Sequence, residues 1–428
     1  MNQVNLAPMK EIFQGLKMFP QFLEEVKERE RSVIAGINCY IDWVESTFQA
    51  IESGKTIVFN QFTFFPELLF AFDLYPLCPE AWSAIPLYAD PMGGTEPIDI
   101  AENAGVHPEL CSSFKFNIGE AIRGRLPIPN LIVATSSPCD SARTSYQALA
   151  KVTGAPMFFV DEGYWDTEED LTYIESEIRG LISFIETEIT HKKLDYDRLK
   201  EVLEESNKAV EYFLEANELR RLTPCPESGK TFTYSFMAFM TSAGLPRCTA
   251  LQKEILDETR ERASSGKGAI PEEKLRCIWF YTPIVWDYFL INWLEDEWKM
   301  VIPMTMDGYY VAKPIDTSSP EAMIRGIAER LQGSIPMGRQ GRGTADIWID
   351  DMLRVYGEYH GDCIILGGHY GCKWLKAACG LVRETCREMG IPLYMFDVDI
   401  FDPRVVSAET YRQQISDFLT TVMSPGTG

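Results

Sequence analysis

The sequence predicts an α/β protein with two parallel-sheet domains, and three observations lead there. Short apolar runs of strand length alternate with amphipathic helical stretches. The runs are apolar throughout, as in strands covered on both faces. The chain has 428 residues, 46% of them hydrophobic, which is more than one core usually absorbs.

Residues 1–50 read as a helical lead-in of mixed charge. TIVFN at 56–60 is the first buried strand, and Asn60 to Phe65 form the loop at its carboxyl end. Pro66 suits the first turn of a helix that turns Leu68, Leu69, Ala71 and Phe72 inward. LIVAT at 131–135 and MFFV at 157–160 are the next strands, followed by SSPCD and DEGYWD. Between 167 and 222, Leu171, Ile174, Ile178, Leu181, Ile182 and Ile185 recur near the helical period. Leu199, Leu203, Val210 and Phe213 mark a second long helix. TRERASSGKGAI at 259–270 is polar and reads as a linker. CIWFY at 277–281, MVIPM at 300–304, CIILGG at 363–368 and LYMFDV at 393–398 are the later strands. The resulting division is a helical segment 1–50, a first domain 51–270 with the long helices at 167–222, and a second domain 271–428. Both domains are expected to be Rossmann-like or flavodoxin-like.

The formal net charge of -23 argues against nucleic acid, whose phosphates need clustered Lys and Arg. It leaves room for an anionic cofactor, which needs only a local positive patch or helix N-termini. The N-terminus lacks the long apolar core of a secretory signal, and no apolar run approaches the roughly 18 residues of a spanning helix. A cytoplasmic protein is expected. Eleven cysteines in a reducing compartment do not suggest disulfides, and no CxxC occurs. Any metal site must gather ligands from distant loops. Cys39, Cys225, Cys248 and Cys277 read as small buried hydrophobes.

Three segments carry candidate chemistry: ELCSSFKFNIG with Cys111, ATSSPCDSARTS with Cys139, and LGGHYGCKWLKAACG with Cys372. Cys139 and Cys372 each follow a buried strand, on the edge where open α/β sheets bind ligands. Cys111 precedes a helix. If the two domains face each other, three thiolates meet, and such soft donors suit iron–sulfur iron. Three thiolates leave one iron open for water or substrate.

The chain resembles the 2-hydroxyacyl-CoA dehydratase and benzoyl-CoA reductase family from about residue 52 to 422. FPELLFAFDLYPLCPEAW, PELCSSFKFNIGEAIRG and LIVATSSPCDSARTSYQAL carry the early resemblance. GGHYGCKWLKAACGLVRETCREMGIPLYMFDVDIFDPR and ETYRQQISDFL carry the late one. The order of these motifs against the strands is specific, although each is weak alone. The resemblance implies a 4Fe-4S cluster on Cys111, Cys139 and Cys372, a related second subunit, and a separate ATP-hydrolysing iron–sulfur activator. It implies an acyl-CoA substrate and anaerobic chemistry. One electron on the thioester carbonyl gives a ketyl radical that expels the α-hydroxyl; loss of the acidified β-proton and return of the electron give a 2-enoyl-CoA. The rival functions are an ATP-dependent benzoyl-CoA reductase subunit, a double-cubane-type reductase and a cluster-free scaffold subunit. The tail departs from the family pattern, with Gln413 and Gln414 where an Arg is expected.

Other residues can be given further readings. His369 can pass protons or bind the thioester oxygen, or can be structural. Glu67 is either a base near substrate or a charge at a helix N-terminus. Lys115 and Lys373 flank two candidate ligands, where they attract an anionic thioester, tune the cluster or simply lie at the surface. Arg339 and Arg342, among the glycines of MGRQGRG, grip coenzyme A phosphates or sit on a solvated turn. Gly367, Gly368 and Gly371 permit a tight backbone approach to a cofactor but lack the GxGxxG spacing. Ser318 and Ser319 read as helix caps, Cys78 as structural, and Cys379 and Cys386 as a core-facing helix stripe.

Overall fold

A computed structural model of the chain describes residues 4–19, 30–281 and 284–423. It contains two four-stranded parallel sheets. The first comprises β1 (Ile57–Asn60), β2 (Tyr75–Leu77), β3 (Leu131–Thr135) and β4 (Met157–Val160), in the order β2-β1-β3-β4. The second comprises β5 (Leu275–Trp279), β6 (Met300–Thr305), β7 (Cys363–His369) and β8 (Leu393–Val398), in the order β6-β5-β7-β8. Each sheet therefore places its first strand between its second and third. The two halves share one topology that their sequences do not advertise.

Alternation along the strands decides which layer each residue joins. In the first sheet Val58, Leu131 and Val133 enter the largest core, with the long helices Glu168–Phe184, Tyr196–Leu219 and Pro246–Ser264. Their neighbours Ile57, Phe59, Ile132 and Ala134 face the helices Pro79–Ala89 and Asp140–Thr153. In the second sheet Ile278, Met304, Ile364 and Leu366 join the same large core. Cys277, Trp279, Ile365 and Phe396 pack on the opposite face, against the helix Ala408–Phe418. The large core thus runs without a break from one sheet to the other.

Several expectations shift. The predicted lead-in is helical at Ala7–Leu16 and Arg31–Glu52, and residues 20–29 of it lie outside the described residues. The strand expected at 277–281 lies two residues earlier; Tyr281, with φ 126°, leaves the strand conformation. Half of the polar stretch 259–270 is helix, because Pro246–Ser264 continues through it. Its first residue has a buried partner there: the Thr259 hydroxyl donates to Glu227 at 2.6 Å. The edge strand β2 was not expected. It is three residues long and contains Pro76, which a sheet tolerates at its edge. The helix after Pro66 is present at Glu67–Ala71 and stops where Asp73 turns left-handed, at φ 57°. Ser319 caps the helix Pro320–Gly333, accepting from the Ala322 N–H at 3.1 Å.

A cavity between two sheets lined by three helix-capping cysteines

The carboxyl ends of both sheets face one cavity of about 210 Å³. Cys111, Cys139 and Cys372 all line it. Each is the N-cap residue of a helix: Ser112–Ile122, Asp140–Thr153 and Lys373–Met389 respectively. Cys139 and Cys372 occupy equivalent positions in the two halves, each beyond the third strand of its sheet. The Cys139 Sγ accepts from the Ala142 N–H at 3.4 Å. Three helix N-termini therefore direct partial positive charge at one space, which favours anionic sulfur or an anionic ligand.

Burial opposes that effect and wins. It holds the Cys111 thiol well above its ordinary value, assisted by Asp399 and the other two cysteines, and pushes Cys139 up to about 12. Cys372 is raised too, and there the Tyr281 hydroxyl works in the opposite direction, donating to the sulfur at 3.1 Å. Three buried thiols that repel one another's charge ionise together less readily, and a bound cation would favour their thiolates. Among the described residues, no group of three His, Cys, Asp or Glu side chains closes around a single ion. A cubane cluster takes its thiolates on separate irons, so its ligands stand wider apart, and three sulfur donors around one cavity fit it.

The positioning groups come from distant sequence. His369 ends β7, is fully buried, and approaches Cys111 Sγ with Nε2 at 3.1 Å. Its Nδ1 accepts from the Ile400 N–H at 3.4 Å, which assigns the proton to Nε2 and makes that nitrogen the donor to sulfur. Burial lowers its pKa, with Asp399 pulling the other way. Asp399 accepts from the Phe401 and Asp402 N–H groups and from the Ser112 hydroxyl, tying the loop after β8 to the residue following Cys111. Of Gly367, Gly368 and Gly371, the last allows the closest approach. A Cβ there would lie 2.6 Å from the Cys111 Cα. Close packing at the glycine loop is thus against the Cys111 backbone.

Sequence reasoning missed Glu80, Tyr281 and Asp399. Glu80 lines the cavity, accepts from the Tyr146 hydroxyl at 2.9 and 2.8 Å, and is pushed up to about 7 by burial. Its PE dipeptide, at the start of the helix Pro79–Ala89, was the available signal.

Other predicted residues lie apart from the cavity. Glu67 is buried, ion-paired with Arg330, and accepts from the Ser206 hydroxyl at 2.7 Å. Lys115 is buried and bonds Glu102 at 2.6 Å and the Pro108 carbonyl at 2.7 Å. Arg339 pairs with Asp351, and Arg342 is buried against Glu162 at 2.5 Å. Neither arginine stands on a solvated turn: Pro336–Gln340 is helical, and carboxylates already occupy both guanidinium groups. Lys373 is exposed at the first helical position beside Cys372. Cys78 caps the helix Pro79–Ala89, fully buried against Glu80 and Met240. Cys39, Cys225, Cys248, Cys277 and Cys386 are buried, and Cys379 packs at the edge of the same core.

Fold and site together define a two-sheet α/β protein with a thiol-lined cavity at the joined carboxyl edges. A family model described as 2-hydroxyglutaryl-CoA dehydratase, D-component, matches residues 61–422, and the chain belongs to that family. It is 23% identical to the (R)-phenyllactyl-CoA dehydratase alpha subunit of Clostridium sporogenes, over 74% of this chain and 77% of the relative. It is 21% identical to the alpha subunit of (R)-2-hydroxyglutaryl-CoA dehydratase of Acidaminococcus fermentans, over 68% of this chain and 60% of that one. With a benzoyl-CoA reductase subunit of Thauera aromatica it shares 22% identity over 87% of this chain and 90% of the relative. Among the described residues no helix is long and apolar enough to cross a membrane.

Proposed function

We propose that this chain is a catalytic subunit of an iron–sulfur (R)-2-hydroxyacyl-CoA dehydratase, which forms a 2-enoyl-CoA through a ketyl radical after one-electron activation by a separate ATP-hydrolysing protein. The placement of Cys111, Cys139 and Cys372 on three helix N-termini around one cavity, in a chain of this family, carries the reading. These residues would hold a 4Fe-4S cluster, with a related second subunit completing the assembly. When bound, the cluster supplies one-electron chemistry and a Lewis-acidic iron.

The chain's own groups do the rest. Tyr281 and His369 donate hydrogen bonds to the sulfurs of Cys372 and Cys111, fixing their direction and drawing charge from them. Apolar walls exclude water, which keeps a radical from stray protons. Glu80 holds a proton at the cavity wall near neutral pH, as a group that gives or takes the β-proton must. Lys373, exposed beside Cys372 and outside the cavity lining, is available to an anionic thioester only at the surface. Glu67, Lys115, Arg339 and Arg342 hold the surrounding scaffold through their ion pairs.

Anaerobic purification with iron and sulfide analysis and EPR spectroscopy tests the reading. About four irons per chain are expected, lost on replacing Cys111, Cys139 or Cys372 by Ser. Full iron occupancy in all three variants ends the ligand assignment. A second reading, membership of an ATP-dependent benzoyl-CoA reductase, is favoured by the long alignment with the Thauera aromatica reductase chain. Parallel assays separate the two: loss of water from a 2-hydroxyacyl-CoA, or reduction of the ring of benzoyl-CoA.

A further inference from the structure

We infer that the acyl group admitted to this cavity is uncharged and apolar, and is not a dicarboxylic one. The inference rests on the proposed reading that the cavity receives an acyl-CoA. Away from the cysteines its walls include Phe62, Tyr88, Phe236, Met237, Met240 and Trp374. The methionines can adapt their shape to the side chain they meet.

The charges lining the cavity decide what it refuses. Glu80, Asp287, Asp307 and Lys230 line it. Lys230 already lies between Glu30 at 2.8 Å and Glu295 at 3.6 Å. Asp287 faces Arg412 at 2.5 Å, and that arginine is not part of the lining. Three carboxyl groups and one committed ammonium remain, and no arginine lines the cavity among the described residues. A free carboxylate on the acyl chain would be buried near Asp287 and Asp307, with no uncommitted cation in the lining to receive it, which is strongly unfavourable. A phenyl or isobutyl group in the same place displaces water from apolar walls.

Binding of non-reacting thioesters to the anaerobically purified native assembly tests this. The probes are 3-phenylpropanoyl-CoA, 4-methylpentanoyl-CoA, glutaryl-CoA and free coenzyme A. Trp279 and Trp374 line the cavity, so tryptophan fluorescence reads occupancy directly. The first two probes are expected to bind at least about tenfold tighter than glutaryl-CoA, which should match free coenzyme A. Met237→Arg, checked for folding by circular dichroism, should raise glutaryl-CoA affinity and weaken that of 3-phenylpropanoyl-CoA. The wild-type ranking decides the matter even if that variant does not fold. Equal affinity of wild type for glutaryl-CoA and 3-phenylpropanoyl-CoA overturns the inference. If the apolar order holds but no 2-hydroxyacyl-CoA loses water, the acyl-group inference stands and the dehydratase reading falls. If no thioester binds, both fall.

Discussion

Glu80 and Glu67 lie 13 residues apart in one sequence motif, yet burial gives them opposite chemistry. Glu67 meets a guanidinium, whereas Glu80 meets only a phenol and a thiol. Desolvation therefore raises Glu80 from 4.5 to about 7. A carboxyl whose pKa is raised on folding binds its proton more tightly in the folded chain. Its stabilising contribution is complete below pH 4.5 and is lost as pH rises through about 7. Glu80→Gln keeps an acceptor for Tyr146 and removes the titration. The melting temperature of the wild type should thus fall relative to the variant across that window; parallel curves would refute the assignment. For Glu67 the expectation is different. Glu67→Gln strands the buried Arg330 cation and should cost about 3–5 kcal/mol in chemical denaturation, with iron content per folded molecule unchanged. Unchanged stability combined with lost turnover would instead make this carboxylate a catalytic one.

At the scale of elements, the glycine loop after β7 is where the two halves close on each other. Gly371→Ala sets a methyl group against the Cys111 backbone, and no side-chain rotation relieves it. The variant should melt earlier and purify with substoichiometric iron, because Cys111 and Cys372 move apart together. Full iron with wild-type melting would show that the loop tolerates the methyl. The strands at 131–135 and 157–160 were legible because each is a continuous apolar run between polar loops. The short β2, with a proline in it, carries too few residues for any period to show. The helix through 259–264 was hidden because its residues are mostly polar and exposed or half-buried, with Thr259 alone reaching a buried carboxylate from another segment. The three cysteines were legible for a topological reason, since polar segments after buried strands collect at one sheet edge. Their supporting groups were not. Tyr281 lies 91 residues from Cys372, and Ser112 lies 287 from Asp399, distances over which one sequence carries no pairing information.

For the whole molecule, the cavity exists only while the two sheets hold a fixed relation, and an aromatic joint maintains it. Phe65 from the loop after β1 stacks on Phe239 with centroids 5.8 Å apart. Tyr310, beyond β6, packs edge-on against Phe213 at 5.1 Å and tilted against Phe239 at 5.6 Å. One ring cluster thus binds a loop of the first sheet, two intervening helices and a loop of the second. Because the main core also crosses between sheets, neither half has a complete apolar face of its own to retain. Cooperative loss of both follows: heating should give coincident transitions by far-ultraviolet circular dichroism and tryptophan fluorescence. Phe239→Ala opens a void at the joint and should lower stability by about 3–5 kcal/mol. It should do so for both signals together and release iron in the same transition, since Cys111 and Cys139 belong to one side of the joint and Cys372 to the other. Well-separated transitions in the wild type, with iron retained through the first, would mean that one half folds and holds its ligands alone.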